Sequence, residues 1–266
     1  MEDGSSSRVV EASSSSPSSS SILLHLIKET LGFTLYMHHQ IPSILQHLEL
    51  EFTALTSECI SLEELIAKQK ESRASSQRKN LGRLREVKHG IKQLEKLMNS
   101  VSSVISAVEM MVNEIPQVGG FLLVLGGSLV RPLHVYEVSF SHDGEFSQCP
   151  KDCTSLTNNG SAEALSRKVI RALISKDAGG DSFSGPAKLF VLIKAPCTFN
   201  LPLHFLPKRE FRYSRKIQPF RLHIKFQTDN SKGFPETVDC SSNDMIWFQC
   251  RHIVKGLGCC SEMNDL

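Results

Sequence analysis

The sequence FLLVLGGSLVRP occupies residues 121–132. Its apolar start, 121–125, has the length and composition of a buried strand, and two architectures compete for the residues after it. In a nucleotide-binding enzyme the strand would run into G-x-G-x-x-G or G-x-x-x-x-G-K-[ST], a loop that opens a helix toward the phosphates. Gly126-Gly127 begins like such a loop, but no third glycine comes after it, and Pro132 would disrupt a helix starting there. The next stretch, HVYEVSF at 134–140, alternates apolar and polar residues as a second strand does. Gly126-Gly127 is therefore a turn between two strands, where glycine supplies conformations other residues avoid.

Upstream, Gly119-Gly120 turns the chain out of the clearest periodic segment. Leu84, Ile91, Met98, Ile105 and Val112 recur every seven residues, with Val87, Leu94, Val101 and Val108 three residues after the first four. Such a pattern alone argues for a coiled coil. Leu97, Val104 and Met111 fall where a zipper wants charge, however, and widen the stripe into that of a core helix. Ahead of it, 68–80 (KQKESRASSQRKN) reads as a polar basic loop, and 44–65 is ambiguous with helical spacing in its second half. Leu23, Leu26, Ile27, Leu31, Phe33 and Leu35 form a first helix from Ile22 to about Met37, which Pro42 stops. Residues 1–21 are Ser-rich with little to bury, which predicts disorder.

Downstream, 141–160 is a loop, and 162–175 a helix whose apolar face is Ala162, Leu165, Val169, Ala172 and Leu173. Residues 178–186 form a Gly/Ser loop, 188–195 a strand, 205–215 a basic irregular stretch, 217–227 a half-exposed strand, and MIWFQC at 245–250 another strand. A long helix followed by strands that one helix interrupts gives an α+β domain. The division is a disordered segment 1–21, a domain 22–258 and a short tail 259–266.

The 266 residues carry a net charge of +2, so no global field argues for nucleic acid. Eight cysteines are scattered rather than framed. With no signal peptide expected, they read as free thiols in a reducing compartment. No apolar run approaches the roughly 20 residues that cross a bilayer.

Catalytic and metal signatures fail one by one. Cys149 and Cys153, with His142 upstream, lack the second pair of a zinc site. His38-His39 are neighbours about 100° apart on a helix, so they do not converge on one ion and read as exposed residues at a helix end. No G-x-S-x-G, H-E-x-x-H or paired-carboxylate pattern occurs. Two basic clusters remain, one in 68–79 and one made by Lys208, Arg209, Arg212, Arg215 and Lys216. Phe205, Phe211 and Tyr213 interleave the second, which suits a contact with an acidic protein surface.

Several stretches in this order carry a family resemblance: LYMHHQIP at 35–42, LVLGG at 123–127 with Tyr136-Glu137 downstream, Arg171-Ala172, FLPK at 205–208, and DMIWFQ at 244–249 with Lys255-Gly256. Together they resemble the comet family, proteins that bind the spindle-checkpoint protein Mad-two. The resemblance covers about residues 22–257 and leaves out the Ser-rich start and Cys259-Cys260. It implies a single HORMA-like α+β domain, with central helices on a mainly antiparallel sheet. It further implies a non-catalytic adaptor, without cofactor or metal, that binds the closed conformer of Mad-two as a HORMA–HORMA pair. The adaptor would present that conformer to a hexameric AAA+ remodeller, the pachytene-checkpoint ATPase. Checkpoint silencing, meiotic remodelling of other HORMA proteins, and a place in nucleus and cytoplasm follow from the same resemblance, with no nucleic acid or membrane partner. ATP hydrolysis would belong to the remodeller, in agreement with the missing phosphate loop. Met37, Ile170 and Arg171 match the positions facing Mad-two, and Pro207 and Lys208 those facing the ATPase. Where the family can place a glutamine and an aromatic ring, this chain has Met37 and Ile170. Contact area is kept there, but a polar handle and a ring are lost. The rival from another class is a coiled-coil scaffold built on the heptads of 84–112.

Overall fold

The structure, a computed structural model, describes residues 8–13, 19–68, 74–115, 118–142, 162–175, 185–214, 217–227 and 245–258. Strand β2 (Gly120–Gly126) is buried along its whole length. Successive strand residues point to opposite faces, so a strand apolar throughout must be covered twice. Phe121, Leu123 and Leu125 enter the main core, while Leu122 and Val124 join a smaller cluster on the other face. Through Gly126-Gly127 the chain returns as β3 (Pro132–His142), antiparallel to β2. A Cβ on Gly126 would stand 2.9 Å from the Arg131 carbonyl oxygen and the Leu133 nitrogen, so only glycine fits this close return.

Around that pair the sheet grows in both directions. β4 (Lys188–Pro196) pairs with the free side of β2, β7 (Met245–Cys250) with β4, and β5 (Phe205–Lys208) with β7 at one edge, all antiparallel. Beyond β3 come β6 (Phe220–Gln227) and then β1 (Arg8–Ser13) at the opposite edge, both pairings parallel. The order is β1-β6-β3-β2-β4-β7-β5, with the two-residue β8 (Val254–Lys255) beside β4.

Among the described residues four α-helices accompany the sheet: α1 (Ser19–Met37), α2 (Leu48–Lys68), α3 (Ala74–Glu114) and α4 (Ala162–Ser175). α1 packs against both α3 and α4, and the second half of α3 buries Leu97, Val101, Val104, Met111 and Val112 in the main core. Burial of a leucine-sized side chain stabilises the fold by about 2 kcal/mol, so this wide stripe is a major part of the core. The first half of α3 packs on α2 as a helical hairpin, burying Val87 and bringing Leu94 into the main core, with Arg83 bridged to Glu58 and Lys88 to Glu63. The heptad seam is thus occupied within the chain, which is what the wide stripe predicted and what a free zipper would not allow.

The α+β class and the mainly antiparallel sheet agree with expectation. Several local readings need correction. Residues 8–13 lie inside the segment expected to be disordered yet form β1, because Val9 and Val10 sit in an extended stretch that a distant strand, β6, can pair. α3 starts at Ala74, within the expected loop 68–80, where ASSQRKN carries no apolar stripe to mark a helix. Residues 205–208, expected to be irregular, form β5. Pro207 is accommodated because an edge strand leaves one side without ladder hydrogen bonds. Cys149 and Cys153 lie outside the described residues.

Candidate interaction surfaces

Helix α4 divides cleanly. Leu165, Val169, Ala172 and Leu173 are buried on α1 and the main core. Ile170 is half-buried and packs in neither apolar cluster, Arg171 beside it is exposed, and Ile174, one turn on, is 60% exposed. Two isoleucines four residues apart thus face outward, away from the stripe that fixes the helix. On the neighbouring α1, Tyr36 is 45% exposed, while Met37 is half-buried and rests against the main core. Met37 and Ile170 therefore lie on adjacent helices of one layer.

Pro207 and Lys208 lie elsewhere. α4 touches β1, one edge of the sheet, and β5 is the other edge. Six strand intervals separate these edges, about 29 Å at ordinary spacing. Pro207 is exposed and Lys208 half-buried, with Leu203 and Leu206 exposed beside them. The aromatic residues expected to enrich this basic segment do otherwise. Phe211 and Tyr213 pack on the second face of the sheet with Ile217 and Trp247 over Leu122 and Val124, and Phe205 is buried in the main core. Tyr213 donates a hydrogen bond to the Glu137 carboxylate at 3.4 Å, and Arg221 reaches the same oxygen at 3.3 Å. These rings are core, because an antiparallel sheet with an apolar second face needs a cover. Arg215 and Lys216 lie outside the described residues.

The end of α1 holds a polar cluster that sequence reading misplaced. His38 was expected to be exposed and is fully buried. Its ring stacks on that of His134 with 4.1 Å between centroids, and its Nε2 is hydrogen-bonded to the Tyr136 hydroxyl. Burial pushes the imidazole down to about 4, helped by the neighbouring His134 and His39. Burial also lowers His134 and raises the Tyr136 phenol. A phenol that keeps its proton beside a neutral imidazole donates to it.

Two residues further on, Gln40 ties distant segments together. Its Nε2 donates to the His38 and Gly185 carbonyls at 2.8 and 3.1 Å, and its Oε1 accepts the Ala187 N–H at 2.6 Å. Its backbone carbonyl accepts the Leu257 N–H at 2.9 Å. A Cβ on Gly256 would collide with this side chain. Gln40 thereby fastens both the lead into β4 and the segment after β8 to the end of α1. Sequence reading missed it, since its partners ahead of β4 lie nearly 150 residues away.

Among the described residues no group of three or more His, Cys, Asp or Glu could hold a metal ion. No helix among them is long and apolar enough to cross a membrane. The described residues present an outward apolar pair on α4, a half-buried Met37 at the end of the neighbouring α1, and a basic edge strand across the sheet. No curated protein matches the chain. Residues 6–258 match a protein family described as "p31comet: Mad1 and Cdc20-bound-Mad2 binding". The match begins ahead of β1, so that edge strand falls within the family's domain. It takes in the helices, the complete sheet and both candidate surfaces, and on that extent the chain belongs to the p31comet family.

Proposed function

We propose that the chain is a non-catalytic adaptor that binds the closed conformer of Mad2 and presents it to a hexameric AAA+ ATPase for remodelling. Membership of a family described by its binding to Mad1- and Cdc20-bound Mad2 supports the first half. The single observation that carries the contact face is the outward pair Ile170 and Ile174 on α4, held off the core by a stripe that is itself fully used. Met37 at the end of α1 and Arg171 extend that face. Apolar anchors ringed by charge are the usual centre of a protein–protein contact. The ATPase half is supported by the exposed Pro207 on an edge strand with Lys208, Arg209 and Arg212 close by in sequence. That reading extends to checkpoint silencing and to meiotic remodelling of other HORMA proteins, in nucleus and cytoplasm. Pull-down with purified Mad2 locked in either conformer tests the core of the proposal. Capture of the closed form alone is expected, and equal capture of both forms, or of neither, would overturn it.

A further inference from the structure

The first half of α3 carries four cations and a histidine in one row, and no described residue forms an ion pair with any of them. Arg78, Arg85, His89, Lys92 and Lys96 are all exposed. At about 100° per residue they fall within about 60° of arc, and at about 1.5 Å per residue they span about 27 Å of the helix. None of the five takes part in an ion pair among the described residues. Two neighbours that do, Arg83 and Lys88, lie outside the row and bridge to Glu58 and Glu63 of α2 at 2.8 and 2.7 Å. The seam against α2, through Val87, Gly90 and Leu94, runs along the opposite side of the helix from the row. Cations that hold the hairpin together are therefore separate from those that do not. The carboxylates of this half of α3, Glu86 and Glu95, lie about 90° to either side of the row and leave it uninterrupted.

Lys92 and Lys96, like charges one turn apart, repel and weaken the helix, so the row costs stability in the isolated chain. From its geometry we infer that this face of α3 is a docking strip for an acidic helix of a partner protein. The last four members step along the axis by about 6, 4.5 and 6 Å, the steps that Asp or Glu at i, i+4, i+7 and i+11 make on a helix laid alongside. Complementary rows of this kind set orientation and association rate more than affinity. Chemistry favours a helix over the other anionic surfaces. The face carries no aromatic ring for base stacking, and a single file of cations does not form the broad basic surface that nucleic acid favours. Apart from Leu81 at its border it has no large apolar residue to enter a bilayer. Gly82, Asn99 and Ser100 beside the row are small and polar, which lets a second helix approach. The inference does not rest on the proposed Mad2 contact, which uses other helices.

The test is fluorescence anisotropy with the full chain and a labelled helical peptide of about 20 residues carrying Glu at i, i+4, i+7 and i+11. A scrambled peptide of the same composition, a DNA duplex and phosphatidylserine vesicles serve as competitors. Binding that weakens with salt, exceeds that of the scrambled peptide, and falls about tenfold or more in Arg85→Glu/Lys92→Glu/Lys96→Glu is expected. A peptide with Lys in place of Glu should bind that variant and not the native chain. Arg85→Gln/Lys92→Gln, which removes charge without reversing it, repeats the measurement if the triple variant loses its helical circular dichroism. Unchanged binding in both variants, or a scrambled peptide that binds equally, overturns the inference. Tighter binding of duplex or vesicles than of the helix, or a self-association in sedimentation that charge reversal abolishes, overturns it too, since each assigns the strip to a different occupant.

Discussion

His38 is a base buried among groups that offer its charged form nothing, and this fixes the sign of its effect on stability. In the unfolded chain it binds a proton below about 6.5, whereas in the folded chain burial holds it at about 4. Between those values the unfolded chain carries the extra proton, so stability is full above about pH 6.5 and is lost as pH falls toward 4. The single group accounts for about 3 kcal/mol over that window, and half-buried His134 adds in the same direction. Denaturant midpoints measured from pH 7.5 to 4.5 should fall accordingly, and His38→Leu should flatten the curve. A wild-type midpoint independent of pH would show that the imidazole is not buried as described. Gln40 makes a different kind of prediction. Gln40→Ala leaves the buried Ala187 N–H and the Gly185 carbonyl without their partner, which costs about 2 kcal/mol for such groups. Hydrogen exchange at Ala187 and Leu257 should quicken while the amides of β2 keep their protection. Uniform loss of protection would mean that Gln40 supports the whole core rather than two fastened segments.

Helix α4 offers the clean surface variant because Ile170 contributes to neither apolar cluster. Ile170→Arg should leave circular dichroism and melting unchanged and cost about 2 kcal/mol or more in calorimetry with closed Mad2, as truncation of a central anchor typically does. A folded variant with native affinity would remove α4 from the proposed interface. α1 needs a gentler change. Met37 rests on the main core, so Met37→Asp would bury a charge and confuse stability with binding. Met37→Gln keeps the volume and should alter affinity while the melting temperature stays near native; no change in affinity would place Met37 outside the contact. How legible each element was in the sequence depends on whether it carries its own pattern. α4 was readable to the residue because the 3.6-residue period survives in ALSRKVIRALI, and β7 because MIWFQC is a short, mostly apolar run with an aromatic pair. The turn at Gly126-Gly127 was readable because its flanks are strands in their own right. β1 and β5 were not, since each is four to six residues long and takes its hydrogen bonds from a strand far along the chain. The start of α3 was hidden for the opposite reason, a helix turn with too few core contacts to imprint an apolar stripe. Among the candidate site residues, Ile170 stood out as an apolar residue off its stripe. His38 and Gln40 look like surface residues until the fold brings β3 and β4 against the end of α1.

Across the whole molecule the sheet acts as a spacer. Strands β1 and β5 are its two edges, about 29 Å apart, and α4 of the proposed Mad2 face contacts the first while Pro207 and Lys208 sit on the second. Surfaces that far apart with no shared partners should respond to mutation independently. The β5 edge also has the makings of a contact: Pro207 fixes its own backbone angle, so less freedom is lost when a partner orders the strand. Leu203 and Leu206 add exposed apolar area, and Lys208, Arg209 and Arg212 offer charge that would chiefly speed association with an acidic surface. Edge position means that Pro207→Ser removes rigidity without opening the ladder to β7, and Lys208, only half-buried, tolerates reversal. On the proposed reading, Pro207→Ser with Lys208→Glu keeps native affinity for closed Mad2 but loses ATPase recruitment and conversion of closed Mad2 to the open form. Ile170→Arg should give the mirror result, loss of Mad2 binding with ATPase recruitment intact. Recruitment lost through Lys208→Glu should also weaken in the native protein as salt rises, since an exposed pairing is screened. The measurements are calorimetry for Mad2 and a conversion assay with the ATPase across a salt titration. If the double variant converts Mad2 at the native rate at every salt concentration, β5 only closes the sheet, and the remodeller is met by another surface.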